Sequence, residues 1–207
     1  MPHQLILSAL NWDEVTALAT VALFLAGIAT LLYARNQLND FRREARVKHL
    51  IDLVDQFERE PMATYRRKLG AERVPSGKLQ KLDLENTPPG LHDVMNFFEH
   101  VGYLLDGKYL DLEGVSVEFH YWILHIWTDA RDVIRREQSD DPIYYEYLDK
   151  MARRLLDYDR PRTGKLRLPT EEDIEDFYLE EANLPTGSPI PRQRRKRRER
   201  QGLGFSS

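Results

Sequence analysis

The sequence contains no cysteine, which excludes disulfides, thiolate nucleophiles and cysteine-based zinc sites. The signatures of several enzyme classes are also missing, because no GxxxxGK[ST] phosphate loop, GxGxxG turn or HExxH helix occurs. The few serines lie in no nucleophile motif. We therefore predict no catalytic residue, no cofactor and no metal, and we find no positive support for an enzyme.

Proline and glycine are almost missing from the first part of the chain, since Gly27 is the only one of either between Trp12 and Glu60. Residues 15–33 also lack any charge. At about 1.5 Å per residue, a helix over this run spans roughly 28 Å, close to the ~30 Å hydrocarbon core of a bilayer. We predict a transmembrane helix at 15–33 that continues as a juxtamembrane helix at 34–60.

The flanks of the apolar run differ in charge. Asp13 and Glu14 precede it, which argues against a cleaved signal peptide, whereas basic residues follow it. By the positive-inside rule we expect an inner (cytoplasmic) membrane protein, with residues 1–14 outside and the remainder in the cytoplasm. The predicted membrane-interface residues are Trp12, Tyr33, Arg35, Arg42 and Arg43.

Apolar periodicity beyond the run is helical, and no alternating stretch indicates a strand. We predict an all-α protein whose residues 61–184 form a small antiparallel helical bundle. Pro61 separates this bundle from the preceding helix, and a loop is expected over 71–90. Helices are expected at 91–107, at 112–137, from Pro142 onward, and after Thr170, which suits an N-cap.

Three aromatic residues follow Pro142. In a helix beginning at this proline, Tyr144 and Tyr147 lie near the core stripe, and Tyr145 is the exposed member. Tyrosine buries a large area and keeps a hydroxyl for hydrogen bonding, so Tyr145 is a candidate for contact with a partner. Packing against the preceding helix is the favoured alternative.

Glu99 and His100 are the acid and base that a catalytic hypothesis would choose. Neighbours on a helix point about 100° apart, so the two do not readily share a substrate. An interhelical hydrogen bond to Tyr, Arg or Trp explains Glu99 as well. A pocket around Glu99, Tyr103 and Trp122 is the alternative, enzymatic hypothesis, in which aromatic surroundings raise the pKa of Glu99. His120 and His125 are five residues apart and do not share a helical face, so we predict no zinc site.

A basic tract near the carboxyl end contrasts with the acidic body, although the net charge is only −4. We predict a disordered tail over 185–207 that binds anionic lipid, with nucleic acid or the acidic body as alternatives. The candidate lipid- or phosphate-binding residues are Arg192, Arg194, Arg195, Lys196, Arg197, Arg198 and Arg200.

The blocks 96–111 and 120–137 resemble the central region of a bacterial family, domain of unknown function 4760. The matching positions are Asn96, Phe97, Phe98, Glu99, Gly102, Gly107, Leu110, Asp111, Trp122 and Trp127. The resemblance extends over 57–148 and implies a single-pass anchor with a cytoplasmic helical domain, but no activity.

These observations predict a membrane-anchored helical module for interaction or scaffolding, for example a subunit of a membrane assembly. A protein partner or a second copy is expected, since Ala22, Ala26 and Thr30 also have the spacing at which membrane helices approach closely.

Overall fold

The computed structural model describes residues 12–82, 84–85, 87–163 and 168–184, and these ranges contain helices and no strand. The predicted all-α class is therefore confirmed. The predicted tail lies outside the described residues, as do residues 1–11. The helices are α1 (Trp12–Glu58), α2 (Met62–Arg73), α3 (Pro89–Asp106), α4 (Leu112–Asp129), α5 (Arg131–Asp140), α6 (Glu146–Thr163) and α7 (Glu171–Ala182).

The chain divides into two compact units, Met1–Ala45 and Arg46–Ser207. The described part of the first unit belongs to α1, and its large apolar side chains are exposed, for example Leu23 at 74% and Leu31 at 72%. By length and composition, this helix is apolar enough to cross a membrane. The boundary at Arg46 falls inside the segment predicted as a juxtamembrane helix.

The second unit is a helical bundle around an aromatic centre. Helix α2 packs on α3 and α7, α3 also packs on α6, and α4 contacts α3, α6 and α7. The rings of Phe57, Phe97, Phe98 and Phe119 have centroids 5.1–6.0 Å apart. One apolar stripe of α3 is buried, because Leu91, Val94, Phe98, Val101 and Leu105 are each at most 3% exposed.

Several helix ends fall where local chemistry predicted them. Pro61 lies between α1 and α2, and Gly107 follows α3. Thr170 and Asp173 form a reciprocal capping box at the start of α7, in which the Thr170 hydroxyl accepts from the Asp173 amide at 3.2 Å. Each of these ends has a cause within a few residues.

The single helix predicted over 112–137 is wrong, because Ala130 separates α4 from α5. No proline or glycine marks this break. Instead, the preceding Asp129 receives a bidentate contact from Arg73 and a hydrogen bond from Tyr178. These long-range contacts fix the end of α4. The local sequence therefore contains no signal for the break at Ala130.

The prediction for the tyrosines after Pro142 is also wrong. Asp141 forms a turn by accepting from the Ile143 and Tyr144 amides, and α6 begins only at Glu146. Tyr145 has a left-handed φ of +53°. Tyr144 and Tyr145 therefore precede the helix, and there Tyr145 is 5% exposed and Tyr144 is 53% exposed.

Candidate interaction surface

The amino end of α6 is held by a carboxylate from α3. Glu99 accepts hydrogen bonds from the backbone amides of Tyr147 at 3.2 Å and Leu148 at 2.7 Å. The first amides of a helix have no partner within their own helix. Glu99 therefore caps α6 from a neighbouring helix, a role normally filled by a residue next to the cap in sequence.

Gly102, one turn beyond Glu99, lets α3 approach this same end of α6. A Cβ atom at Gly102 would lie 2.5 Å from the Tyr147 carbonyl oxygen, which is closer than real Cβ contacts. Only glycine fits here without displacing backbone. Glu99 and Gly102 together fix the start of α6 against α3 at two points.

The enzymatic hypothesis places Glu99 in a pocket with Tyr103 and Trp122. Burial raises the pKa of Glu99, as predicted, while the amides of Leu148 and Tyr147 oppose that rise. The carboxylate is occupied by these amides. Tyr103 packs its ring edge-on to Tyr147 at 5.4 Å, whereas Trp122 donates its indole hydrogen to Glu181 at 3.1 Å.

A cavity of about 10 Å³ is lined by Trp122 but by neither Glu99 nor Tyr103. One water molecule needs about this much space. The other residues lining the cavity are Phe57, Arg66, Leu69, Val94, Ile126, Phe177, Tyr178 and Glu181. The structure thus separates the three candidates, because Glu99 faces α6 and Trp122 faces α7.

Tyr145 is anchored inside the bundle instead of facing solvent. Its hydroxyl lies 2.9 Å from Nδ1 of His92, and burial raises its pKa to about 12. The hydroxyl therefore stays protonated at neutral pH and is available for this bond. Anchoring of Tyr145 turns the two preceding residues outward.

Apolar side chains are exposed around this fixed helix start. Ile143 is 69% exposed, Tyr144 53% and Tyr103 51%. We refer to Tyr103, Ile143 and Tyr144 as the candidate interaction surface. The contacts of Glu99, Gly102 and Tyr145 fix the backbone of this surface. Binding at its apolar side chains would therefore lose little further conformational entropy.

The histidines that the sequence analysis considered take part in separate contacts. His120 lies 2.5 Å from an oxygen of Asp159, and His125 donates from Nδ1 to the Tyr121 carbonyl at 2.6 Å. His125 also stacks on Phe177 at 5.1 Å, and its burial lowers its pKa. Within the described ranges, no three metal-ligating side chains come together.

Sequence reasoning missed two buried ion pairs. Arg66 contacts both carboxylate oxygens of Glu181, at 2.7 and 3.1 Å, and donates to the Phe57 carbonyl. Arg73 binds Asp129 in the same bidentate way, at 2.8 and 3.1 Å. All four side chains are at most 8% exposed. Arg66 and Arg73 lie seven residues apart on one face of α2. This spacing is a weak sequence signal for the two buried ion pairs.

The residues predicted to lie at a membrane interface are all in α1, where Trp12 is 81% exposed and Tyr33 65% exposed. Arg35, Arg42 and Arg43 are also exposed. The basic tract over 192–200 lies outside the described residues.

The fold defines a helical-bundle protein with an apolar amino-terminal helix. A family model described as "Domain of unknown function (DUF4760)" matches residues 16–155. The chain belongs to this family, as the resemblance in the sequence predicted. No curated protein and no solved structure matches the chain.

Proposed function

We propose that this protein is a membrane-anchored interaction module, whose helical bundle is held at the membrane by α1 and binds a protein partner. The anchor is a single pass through the cytoplasmic membrane, with the amino terminus outside and the bundle in the cytoplasm. Support comes from the exposed apolar run of α1 and from the basic residues Arg35, Arg42 and Arg43, which follow it on one side only.

One observation carries the interaction role. Ile143 and Tyr144 are exposed at a helix start that Glu99 and Gly102 fix against α3. Exposed tyrosine and isoleucine on rigid backbone are typical of binding surfaces, because little conformational entropy is lost when a partner covers them. By contrast, Glu99 is occupied in capping α6, so no observation favours the enzymatic alternative.

The basic tail is proposed to bind anionic lipid. Seven cations lie within the nine residues 192–200, and the anchor keeps them close to a negatively charged leaflet. No aromatic residue is interleaved among them, so the tract offers no platform for stacking nucleic-acid bases. Removal of 192–200 is expected to weaken binding of the full chain to vesicles containing anionic lipid, most strongly at low salt.

The interaction role is tested by purifying the tagged full-length protein from its native membrane in mild detergent and identifying associated proteins by mass spectrometry. We expect a partner that is recovered with the unchanged chain and lost with the double variant Ile143→Ser and Tyr144→Ser. The matched control is Val117→Ser, which changes an apolar side chain 56% exposed on α4.

Recovery of the same proteins with all three chains would contradict the proposed surface. Recovery of no partner with any of them would contradict the module itself. The anchor is checked separately, because a carbonate wash should leave the protein in the membrane and external protease should spare the bundle in intact cells.

A further inference from the structure

We propose that α1 pairs in parallel with α1 of a second copy of this chain. The contact is a seam of apolar and small residues separated alternately by four and three positions. The inference rests on the proposed function in one respect, namely that both copies are anchored in the membrane with the same orientation. The α1 seam consists of Thr20, Phe24, Gly27, Leu31, Ala34, Leu38, Phe41 and Ala45.

Residues 34–46, which follow the apolar run, distinguish the seam from the other sides of α1. Within 34–46 only four residues are apolar, namely Ala34, Leu38, Phe41 and Ala45, and every one belongs to the seam. The remaining nine positions are polar or charged. Alternating spacings of four and three residues place side chains along one side of a helix, as in the contact line of a coiled coil.

All seam residues except the half-buried Ala45 are exposed in the single chain. Phe24 is 68% exposed, Leu31 72%, Leu38 50% and Phe41 72%. Leu38 and Phe41 lie beyond the uncharged run, where lipid tails no longer favour an apolar surface. Covering them with another helix removes apolar area from water.

A second side of α1 also has small residues, but it ends with the apolar run. Ala22, Ala26 and Thr30 continue along the helix to Gln37 and Glu44, which are polar. The seam instead stays apolar on both sides of the boundary. A contact that extends beyond the membrane therefore uses the seam.

The charges beside the seam favour a second copy in parallel orientation. In the parallel heptad register, Arg42 of one helix faces Gln37 of the other, Arg35 faces Thr30, and Glu44 falls opposite His49. No two like charges oppose each other. An antiparallel pair would require anchors of opposite orientation.

A second copy also fits because identical anchors enter the membrane at the same depth and direction. Each seam residue then meets its own counterpart, as two-fold symmetry requires. Leu38 packs on Leu38 and Phe41 on Phe41, without any adjustment of register.

The absence of cysteine makes this pairing directly testable. Single variants Leu38→Cys and Phe41→Cys are placed in the full-length chain, which is reconstituted in vesicles at a low protein-to-lipid ratio and mildly oxidised. The matched controls are Asn36→Cys and Arg43→Cys, on the opposite side of the same helical turns. Because a disulfide needs Cα atoms about 4.4–6.8 Å apart, we expect roughly tenfold more covalent dimer from the seam variants.

Equal cross-linking at all four positions would indicate random collision and overturn the proposal, as would no cross-linking at any of them. Cross-linking of Ala22→Cys and Ala26→Cys without that of Leu38→Cys would assign the contact to the other side. As a second measurement, Leu38→Asp combined with Phe41→Asp should convert a dimer to a monomer in detergent, whereas Asn36→Asp should not. Retention in a carbonate-washed membrane distinguishes loss of pairing from loss of the anchor.

Discussion

The pair Arg66 and Glu181 places two opposite charges where water hardly reaches, each side chain being at most 3% exposed. Arg66 also lies over the Phe57 ring at 4.1 Å, and Glu181 accepts from the Trp122 indole. The polar atoms of both ions are therefore well bonded. Removal of one partner leaves the other buried and uncompensated, which costs more than the intact pair contributes.

We expect Glu181→Ala to lower the free energy of unfolding by about 3–5 kcal/mol, because Arg66 loses its counter-charge inside the bundle. Denaturant unfolding of the full-length protein in detergent, followed by circular dichroism, measures this. The control Asp176→Ala, on the exposed side of α7, should stay within about 0.5 kcal/mol. The double variant Arg66→Met with Glu181→Leu should recover most of the loss, and equal stability of Glu181→Ala and Asp176→Ala would refute the argument.

Glu99 gives the stability a defined pH dependence. Burial raises its pKa in the folded protein, so the neutral carboxyl is favoured there. The stability from this group is fully present below the unfolded pKa of about 4.3 and is lost as the pH rises through the folded value. The unfolding free energy of the unchanged protein minus that of Glu99→Gln should thus fall as the pH rises above about 4.3. A difference that grows over this range would show that the amide bonds outweigh burial.

Among the helices, the sequence predicted those ends and buried faces that neighbouring residues determine. The ends at Pro61, Gly107 and Thr170 have causes within a few residues, and the buried stripe of α3 follows from its period. The break at Ala130 follows Asp129, which is bound by the distant Arg73 and Tyr178, and the amino end of α6 is capped by the distant Glu99. No local pattern contains these long-range contacts, so neither the break nor the capping role of Glu99 was predicted, whereas the turn at Asp141 that precedes α6 is local.

Helix α7 is short, at twelve residues, and begins at a reciprocal capping box. We expect Thr170→Ala to lower the unfolding free energy by about 1 kcal/mol, since the Asp173 amide loses its acceptor. Thr170→Ser keeps the hydroxyl and should lose only a few tenths of this. Denaturant unfolding of the three chains under the same conditions checks the order, and equal losses for Ala and Ser would contradict it.

For the molecule as a whole, the residues matched by the family model and the residues that form the helical bundle are not the same. The match ends at residue 155, yet α7 packs closely on α2, where a Cβ atom at Gly70 would lie 2.4 Å from the Ala182 nitrogen. Phe177 and Tyr178, both at most 1% exposed, belong to the core. The bundle of this chain therefore includes an element beyond the matched region.

We expect a chain ending after Thr163 to lose cooperative unfolding, because it lacks Phe177, Tyr178 and the counter-charge of Arg66. A chain ending after Leu184 keeps all described helices and should melt like the full-length protein. Thermal melts by circular dichroism and limited proteolysis compare the two. A sharp, unshifted melt from the shorter chain would show that α7 is dispensable.

The ion pair between Arg66 and Glu181 also leads to an expectation about the sequences of relatives. One residue lies inside the shared family region and its counter-ion lies outside it, so the two positions should covary among relatives. Where a relative has no helix equivalent to α7, natural selection should have replaced the guanidinium at position 66 with an uncharged side chain. An alignment in which arginine persists there without any acidic counterpart would point to a different neutralising group in those proteins.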